Sequence, residues 1–181
     1  MIWVGSFKSL QSALNKSLLT GAELEVRTWV QSEIGQISPL VDWLMNLIAA
    51  YGCVRGEEQF VELALREALS NAILHGNRLD AHKLVHVCCR CEGRNGVLIV
   101  VRDQGQGFDP NQVPDPLAFE NLCAEHGRGI HLMKLAMDEI SFERGGTAIR
   151  MRKRLGLEQK TCASALRAET TCDCTRTVGN L

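Results

Sequence analysis

Along the chain the spacing of apolar residues switches between two periods, and the switches predict its elements. Leu24, Val26, Thr28 and Val30 alternate with Glu25, Arg27 and Trp29, the period expected of a half-buried strand over Glu23–Val30. After Gly35 the spacing becomes helical. Ser38 stands where an N-cap belongs and Pro39 at the first helical position, and Leu40, Leu44, Leu47 and Ile48 line one face until Gly52 ends the helix. A second helix is predicted from Glu57 to Asn77, and two consecutive helices of this kind usually pack as a layer.

In that second helix a turn of roughly 100° per residue gathers Gln59, Glu62, Arg66 and Ser70 on one polar arc, an ordinary solvated face. A second polar stripe, Glu67, Asn71 and His75, falls on the other side among Phe60, Ala64, Ala68 and Leu74. A core-facing stripe is expected to be apolar, and a carboxylate and an amide buried there need partners. The stripe therefore implies a hydrogen-bonded core network, a wet groove, or a pocket for a ligand or metal. The helix alone does not choose among them.

Downstream, Lys83–Glu92 and Gly96–Asp103 read as two strands of an antiparallel hairpin joined by Gly93-Arg94-Asn95. The unbroken run Val97–Val101 marks the second as central in a sheet. From Asp109 to Glu125, Pro110, Pro114 and Pro116 with acidic and amide residues give loop composition, long enough for a lid. A helix follows the segment His126-Gly127-Arg128-Gly129, with Ile130, Met133 and Met137 on one face. Ile140–Glu143 and Thr147–Lys153 close a last hairpin across Arg144-Gly145-Gly146.

This order predicts an α+β fold, a two-layer α/β sandwich with helices on one face of a mixed, mostly antiparallel sheet of five strands. Residues 22–154 form the predicted domain. Residues 1–21, where Phe7, Leu10, Leu14 and Leu18 have near-helical spacing, are an N-terminal extension, either a short docking helix or poorly ordered. Residues 155–181 show no sustained period and read as a flexible tail.

Composition changes this picture little. A chain of 181 residues suits one domain with a substantial core, and a net charge of −1 offers no broad surface for nucleic acid or an anionic membrane. No apolar run approaches the ~20 residues that cross a bilayer, and the first residues lack the order of a secretion signal, so a cytoplasmic location is the default expectation. There the eight cysteines are expected to be reduced, as small core hydrophobes and tail thiols. Alternation puts Cys89 and Cys91 on one strand face and Cys88 on the other. Their spacing, even with Cys172 and Cys174, does not fit common zinc patterns.

Three clusters carry candidate chemistry: the Glu67/Asn71 stripe, Asp103-Gln-Gly105-Gln-Gly107-Phe, and His126-Gly127-Arg128-Gly129. Glycines let backbone N–H groups approach an anion closely, and the second pair opens a helix whose N-terminus favours negative charge. That suits a phosphate chain. Asp103, at a strand end, is an acceptor suited to an exocyclic amine, and Asn71 offers a neutral oxygen to a Mg²⁺ ligated mainly by phosphate and water. Either glycine pair alone is more often a tight turn; their joint occurrence around the polar stripe is harder to assign to turns.

In this arrangement ELALREALSNAILHGN resembles the N-box, VVRDQGQGFDP the first glycine box, and GRGIHLMKLAMDEI with GGTAIRMRK the second glycine box and closing strands of the GHKL (Bergerat-fold) ATPases. Within that superfamily the chain is similar to the bacterial anti-sigma-factor serine/threonine kinases, over about Glu23–Arg154. The resemblance implies ATP and Mg²⁺ as cofactors, with Glu67 as general base and Asn71 as Mg²⁺ ligand. It further implies that Asp103 reads the adenine amine, that Gly105 and Gly107 shape the nucleotide pocket, and that Gly127 and Gly129, with Arg128 between them, line the phosphates. Thr147 lies near the adenine edge by the same resemblance, and His75 is a packing or hydrogen-bonding residue.

The activity implied is phosphoryl transfer to a serine or threonine of a STAS-domain anti-anti-sigma protein, by a kinase that also binds a sigma factor. The resemblance allows a homodimer and calls for neither direct nucleic-acid contact nor a membrane. The alternative is a nucleotide-responsive binding module that sequesters a regulator without phosphorylating it. The catalytic part of a sensor histidine kinase is disfavoured, because none of the five histidines precedes His75 and little chain is left before the N-box for a dimerisation hairpin.

Overall fold

The computed structural model describes residues 2–3, 24–109 and 128–156. A two-residue strand, β1 (Ile2–Trp3), runs parallel to β2 (Leu24–Gln31). The sequence reading has no strand there, because two residues carry no period. The apolar positions Phe7, Leu10, Leu14 and Leu18 lie outside the described residues, as do the proline-rich loop after Asp109 and the tail beyond Gly156.

After β2, a single 3₁₀ turn at Ile34–Gln36 leads into α1 (Ile37–Tyr51). The helix therefore begins one residue before Ser38, which is not the N-cap. Its hydroxyl instead accepts a hydrogen bond from Arg66 Nη1 at 3.2 Å, tying α1 to the next helix. Gly52 closes α1 in the left-handed region, φ 60°, where a missing Cβ removes the steric cost. Helix α2 (Glu58–Ser70) follows, its polar arc held by Arg66 to Glu62 at 2.9 Å and to Asp42 at 3.4 Å.

Strands β3 (Leu84–Cys91) and β4 (Val97–Arg102) form the expected hairpin across a 3₁₀ turn at Gly93–Asn95. Helix α3 (Arg128–Ala136) is followed by the hairpin β5 (Glu139–Glu143) and β6 (Ala148–Lys153). Among the described residues the sheet has six strands in the order β1-β2-β3-β4-β6-β5, antiparallel at every pair except β1 with β2. The fold is thus α+β, with a mixed, mostly antiparallel sheet as expected, one short strand larger.

Period-2 alternation decides what the sheet buries. Leu24 and Val26, Val85, Val87 and Cys89, Val97, Ile99 and Val101, and Ile149 and Met151 all face the helices. They pack with Leu44 and Ile48 of α1, Val61, Leu65 and Leu69 of α2, and Met133 of α3. At ~25 cal/mol per Å² of apolar surface removed from water, this single layer of contacts is the main stabilising term. The other face mixes Trp29, Leu98 and Val100 with charged residues held in ion pairs. Arg90 pairs with Glu25 at 2.7 Å, and Arg152 pairs with Glu92 at 2.6 Å.

The cysteines depart from expectation. Cys53, just beyond α1, and Cys91, at the end of β3, are joined in a disulfide with Cα atoms 5.6 Å apart. Thirty-eight positions separate them, so only the packing of the α1–α2 connection against the strand end brings them together. Cys88 and Cys89 are free thiols on opposite faces of β3, as alternation required. Burial pushes the Cys89 thiol up to about 12. No helix among the described residues is long and apolar enough to cross a membrane.

Candidate functional site

The site begins where α2 changes its winding. From Asn71 to Gly76 the helix widens into a π turn. It closes through Asn77 N–H to Ala72 C=O at 2.8 Å and Leu79 N–H to Ile73 C=O at 2.9 Å. Such turns add a residue per winding and re-aim side chains, and they recur at functional sites. The chain then passes through Arg78 and Leu79, both left-handed at φ 57° and 58°, a conformation costly for residues with a Cβ.

The polar stripe is not buried as the helical plot suggests. Glu67 and Asn71 are half-buried and His75 is exposed, while Phe60 and Leu74, expected to face the core, are 40% and 38% exposed. Ala64 and Ala68 are buried. The stripe thus follows the rim of the core, and the wet-groove alternative describes its surroundings better than a core network does. Regular helical winding cannot predict His75 and Leu74, because the π turn rotates everything after Ser70.

Opposite this rim stands the start of α3. A Cβ added to Gly129 would lie 2.5 Å from Glu67 Oε2 and 3.5 Å from Asn71 Nδ2. The second glycine segment therefore meets the acidic stripe directly. Arg128 is exposed at the first residue of α3. Gly127 lies outside the described residues.

The end of the π turn packs on the first glycine segment. A Cβ on Gly76 would fall 2.4 Å from Asp103 Cγ, and one on Gly105 would fall 2.2 Å from Gly76 O. Asp103 Oδ1 accepts the Gly105 N–H at 2.7 Å, and the Asp103 N–H donates to Thr147 C=O at 3.0 Å. Burial raises the Asp103 carboxyl above its usual range, against the opposing pull of the Gly105 N–H. Such a carboxylate is a strong acceptor for a ligand donor that excludes the remaining water.

Thr147 completes this corner. Its Cγ2 would lie 3.1 Å from a Cβ on Gly107, and its hydroxyl donates to Arg144 C=O at 3.0 Å. Gly107 itself, at φ 75°, approaches the β5–β6 turn so closely that a Cβ would sit 1.9 Å from Gly145 O. Phe108 N–H then bonds Gly145 C=O at 3.0 Å, and the Phe108 ring meets Phe142 edge-on at 5.3 Å.

Glu67, Asn71 and Gly129 thus form one group, and Asp103, Gly105, Gly107 and Thr147 a second, joined along the π turn. Gly76 and the pair Asn77 and Gln104 also belong to this corner, without a pattern in the sequence that singles them out. Asn77 is 1% exposed; its Oδ1 accepts the Gln104 N–H at 2.8 Å and its Nδ2 donates to Leu84 C=O at 3.2 Å. The signal available was an amide at the end of a helical run followed by Arg78-Leu79-Asp80, which reads only as a turn. Among the described residues no three His, Cys, Asp or Glu side chains come together to hold a metal ion.

A mixed sheet covered on one face, with a helix rim and two glycine segments converging on it, defines the class. Residues 30–153 match the histidine kinase-like ATPase domain, and the chain belongs to that family. Its relatives include proteins named anti-sigma F factor. The one from Bacillus subtilis (strain 168) is 28% identical over 154 residues, 82% of this chain and 95% of the relative. The protein of that name from Priestia megaterium is 27% identical over 157 residues, 84% and 97% of the two chains. That from Clostridium novyi (strain NT) is 34% identical over 100 residues, 52% and 69%.

Proposed function

We propose that the chain binds MgATP along the rim of α2 and transfers the γ-phosphoryl group to a serine or threonine of a STAS-type anti-anti-sigma protein. In this reading it also sequesters a sigma factor, so that the two partners compete for one regulator. The observation that supports it most is the approach of Gly129 to Glu67, which sets a carboxylate beside a helix N-terminus. A helix N-terminus favours phosphate, and a carboxylate at that distance suits a hydroxyl that attacks it. The relatives' shared name supports the anti-sigma half of the reading.

Each residue then has a task. Asp103 accepts from the adenine amine, with Thr147 beside it, and Gly105 and Gly107 shape the pocket by letting the loop pack directly on the Gly76 and Gly145 carbonyls. Gly127, Arg128 and Gly129 receive the phosphates. Glu67 takes the proton of the acceptor hydroxyl, directly or through water. The residues fit a magnesium ion carried in by the nucleotide: Asn71 adds a neutral amide beside the start of α3, suited to a metal ligated mainly by phosphate and water. When bound, Mg²⁺ neutralises charge on the phosphates, and positioning supplies most of the remaining catalysis. A cytoplasmic location and protein partners rather than nucleic acid belong to the same reading.

Incubating the protein with a STAS-domain partner and γ-labelled ATP tests it. Labelled phosphoserine or phosphothreonine is expected on the partner. Glu67→Gln is expected to lower the transfer rate by ~10²-fold or more, the usual worth of a general base, while nucleotide affinity stays within about threefold. Nucleotide binding with no transfer to any partner that the protein captures would replace the kinase by the sequestering module.

A further inference from the structure

We infer that Asn77 is a positioning residue for base recognition: through Gln104 it holds Asp103 at the adenine edge. The inference rests on the reading of Asp103 as the adenine acceptor, and it goes further by naming what sets that carboxylate in place.

Asp103 leaves the end of β4, where the sheet no longer constrains it on both sides. On one side its N–H is held by Thr147 C=O at 3.0 Å. On the other side, the next peptide is held by Asn77, whose Oδ1 accepts the Gln104 N–H at 2.8 Å. The same amide donates from Nδ2 to Leu84 C=O at 3.2 Å, and Gln104 Oε1 accepts the Leu84 N–H at 2.7 Å. Three hydrogen bonds therefore lock the π turn, the start of β3 and the Asp103 loop into one unit.

The lock must be tight for two reasons. The Gly105 backbone and the Asp103 carboxylate both press on Gly76, so closely that neither glycine has room for a Cβ. The chain just beyond Asn77 also holds two successive left-handed residues, Arg78 and Leu79, a strained path that persists only where its surroundings impose it. Asn77 meets the requirement because one amide offers an acceptor and a donor at once. Buried to 1% exposure, it cannot hand either bond to water.

Removing the lock is expected to loosen Asp103 against the base while leaving the phosphate contacts at the start of α3 intact. The test compares ATP with inosine triphosphate, which has a carbonyl oxygen in place of the adenine amine. Both are titrated with Mg²⁺ into the full chain by calorimetry, for wild type, Asn77→Ala and Asn77→Ser. Wild type is expected to prefer ATP; in both variants the preference falls about tenfold or more, through weaker ATP binding and little change for inosine triphosphate. General loosening of the fold would weaken both ligands together and leave the ratio alone. An unchanged ratio in the folded variants overturns the inference, and Asn77→Ser, a smaller change whose hydroxyl is too short to span the Gln104 N–H and the Leu84 carbonyl, decides it if Asn77→Ala does not fold. A wild type that binds both nucleotides equally overturns the Asp103 assignment itself, and with it this inference.

Discussion

Gly105 and Gly129 meet different obstacles, and their replacements should therefore fail differently. A Cβ on Gly105 strikes the Gly76 carbonyl, which is backbone and cannot step aside; one on Gly129 strikes the Glu67 carboxylate, which can rotate. Gly105→Ala is expected to lower stability by about 2 kcal/mol, as overpacking does. Gly129→Ala should melt no lower than wild type, since alanine gains up to ~1 kcal/mol over glycine in a helix, yet lose phosphoryl transfer. Thermal melts beside transfer assays separate the two. At Asp103 burial raises the folded-state pKa, so the carboxylate costs stability at neutral pH, a cost relieved as pH falls through the folded value toward the unfolded one. Asp103→Asn removes that cost and keeps an acceptor for the Gly105 N–H, so its melting temperature at pH 7 should be no lower than wild type. A drop of several degrees would show that the charge stabilises this corner. The glycine and acidic residues of this corner were legible because their types are unusual in such positions. Asn77 and Gln104 were not, because an amide in a turn has many ordinary uses and only their mutual hydrogen bonds distinguish them.

At the scale of elements, the outer face of the sheet rests on ion pairs. Hydrogen bonding from Arg27 holds the Glu25 carboxyl below its usual range, and Arg152 does the same for Glu92. Both groups bind protons more weakly folded than unfolded. Their contribution is therefore complete above the unfolded carboxylate value near ~4.3, and is lost as pH falls through the depressed folded values. Urea midpoints measured from pH 6 to pH 3 should fall across this window, and less steeply in Glu92→Gln; identical slopes would remove Glu92 from the account. The strands were legible because alternation on a half-covered sheet leaves a period-2 trace in the sequence. The π turn left none: its residues, Asn71 to Gly76, are compatible with ordinary helix, and the change lies in which carbonyl each N–H chooses. Ser38 shows the converse. A strong local capping signal was outweighed by the 3₁₀ turn before it, which starts the helix two residues early and leaves the hydroxyl for Arg66.

At the scale of the molecule, the α1–α2 connection and the end of β3 are joined twice, by burial and by Cys53–Cys91. A disulfide closing a loop of this length restricts the unfolded chain and is typically worth ~2–4 kcal/mol. Adding dithiothreitol, or replacing both cysteines by serine, should therefore lower the melting temperature. If neither changes it, the bond is not formed in solution. In a reducing compartment the same pair would stand as two buried thiols, and the fold would rely on the core alone. That core, the six-stranded sheet and the family to which the chain belongs all support one arrangement, a nucleotide held between the α2 rim, the Asp103 corner and the start of α3. Calorimetric titration of MgATP into the full chain and into Asp103→Asn tests this most directly. Saturable one-to-one binding is predicted, weakened ~100-fold in the variant because the asparagine oxygen stays with the Gly105 N–H and the second carboxylate oxygen is replaced by an NH₂ donor that repels the adenine amine. No binding to wild type, or equal binding to both proteins, would contradict it.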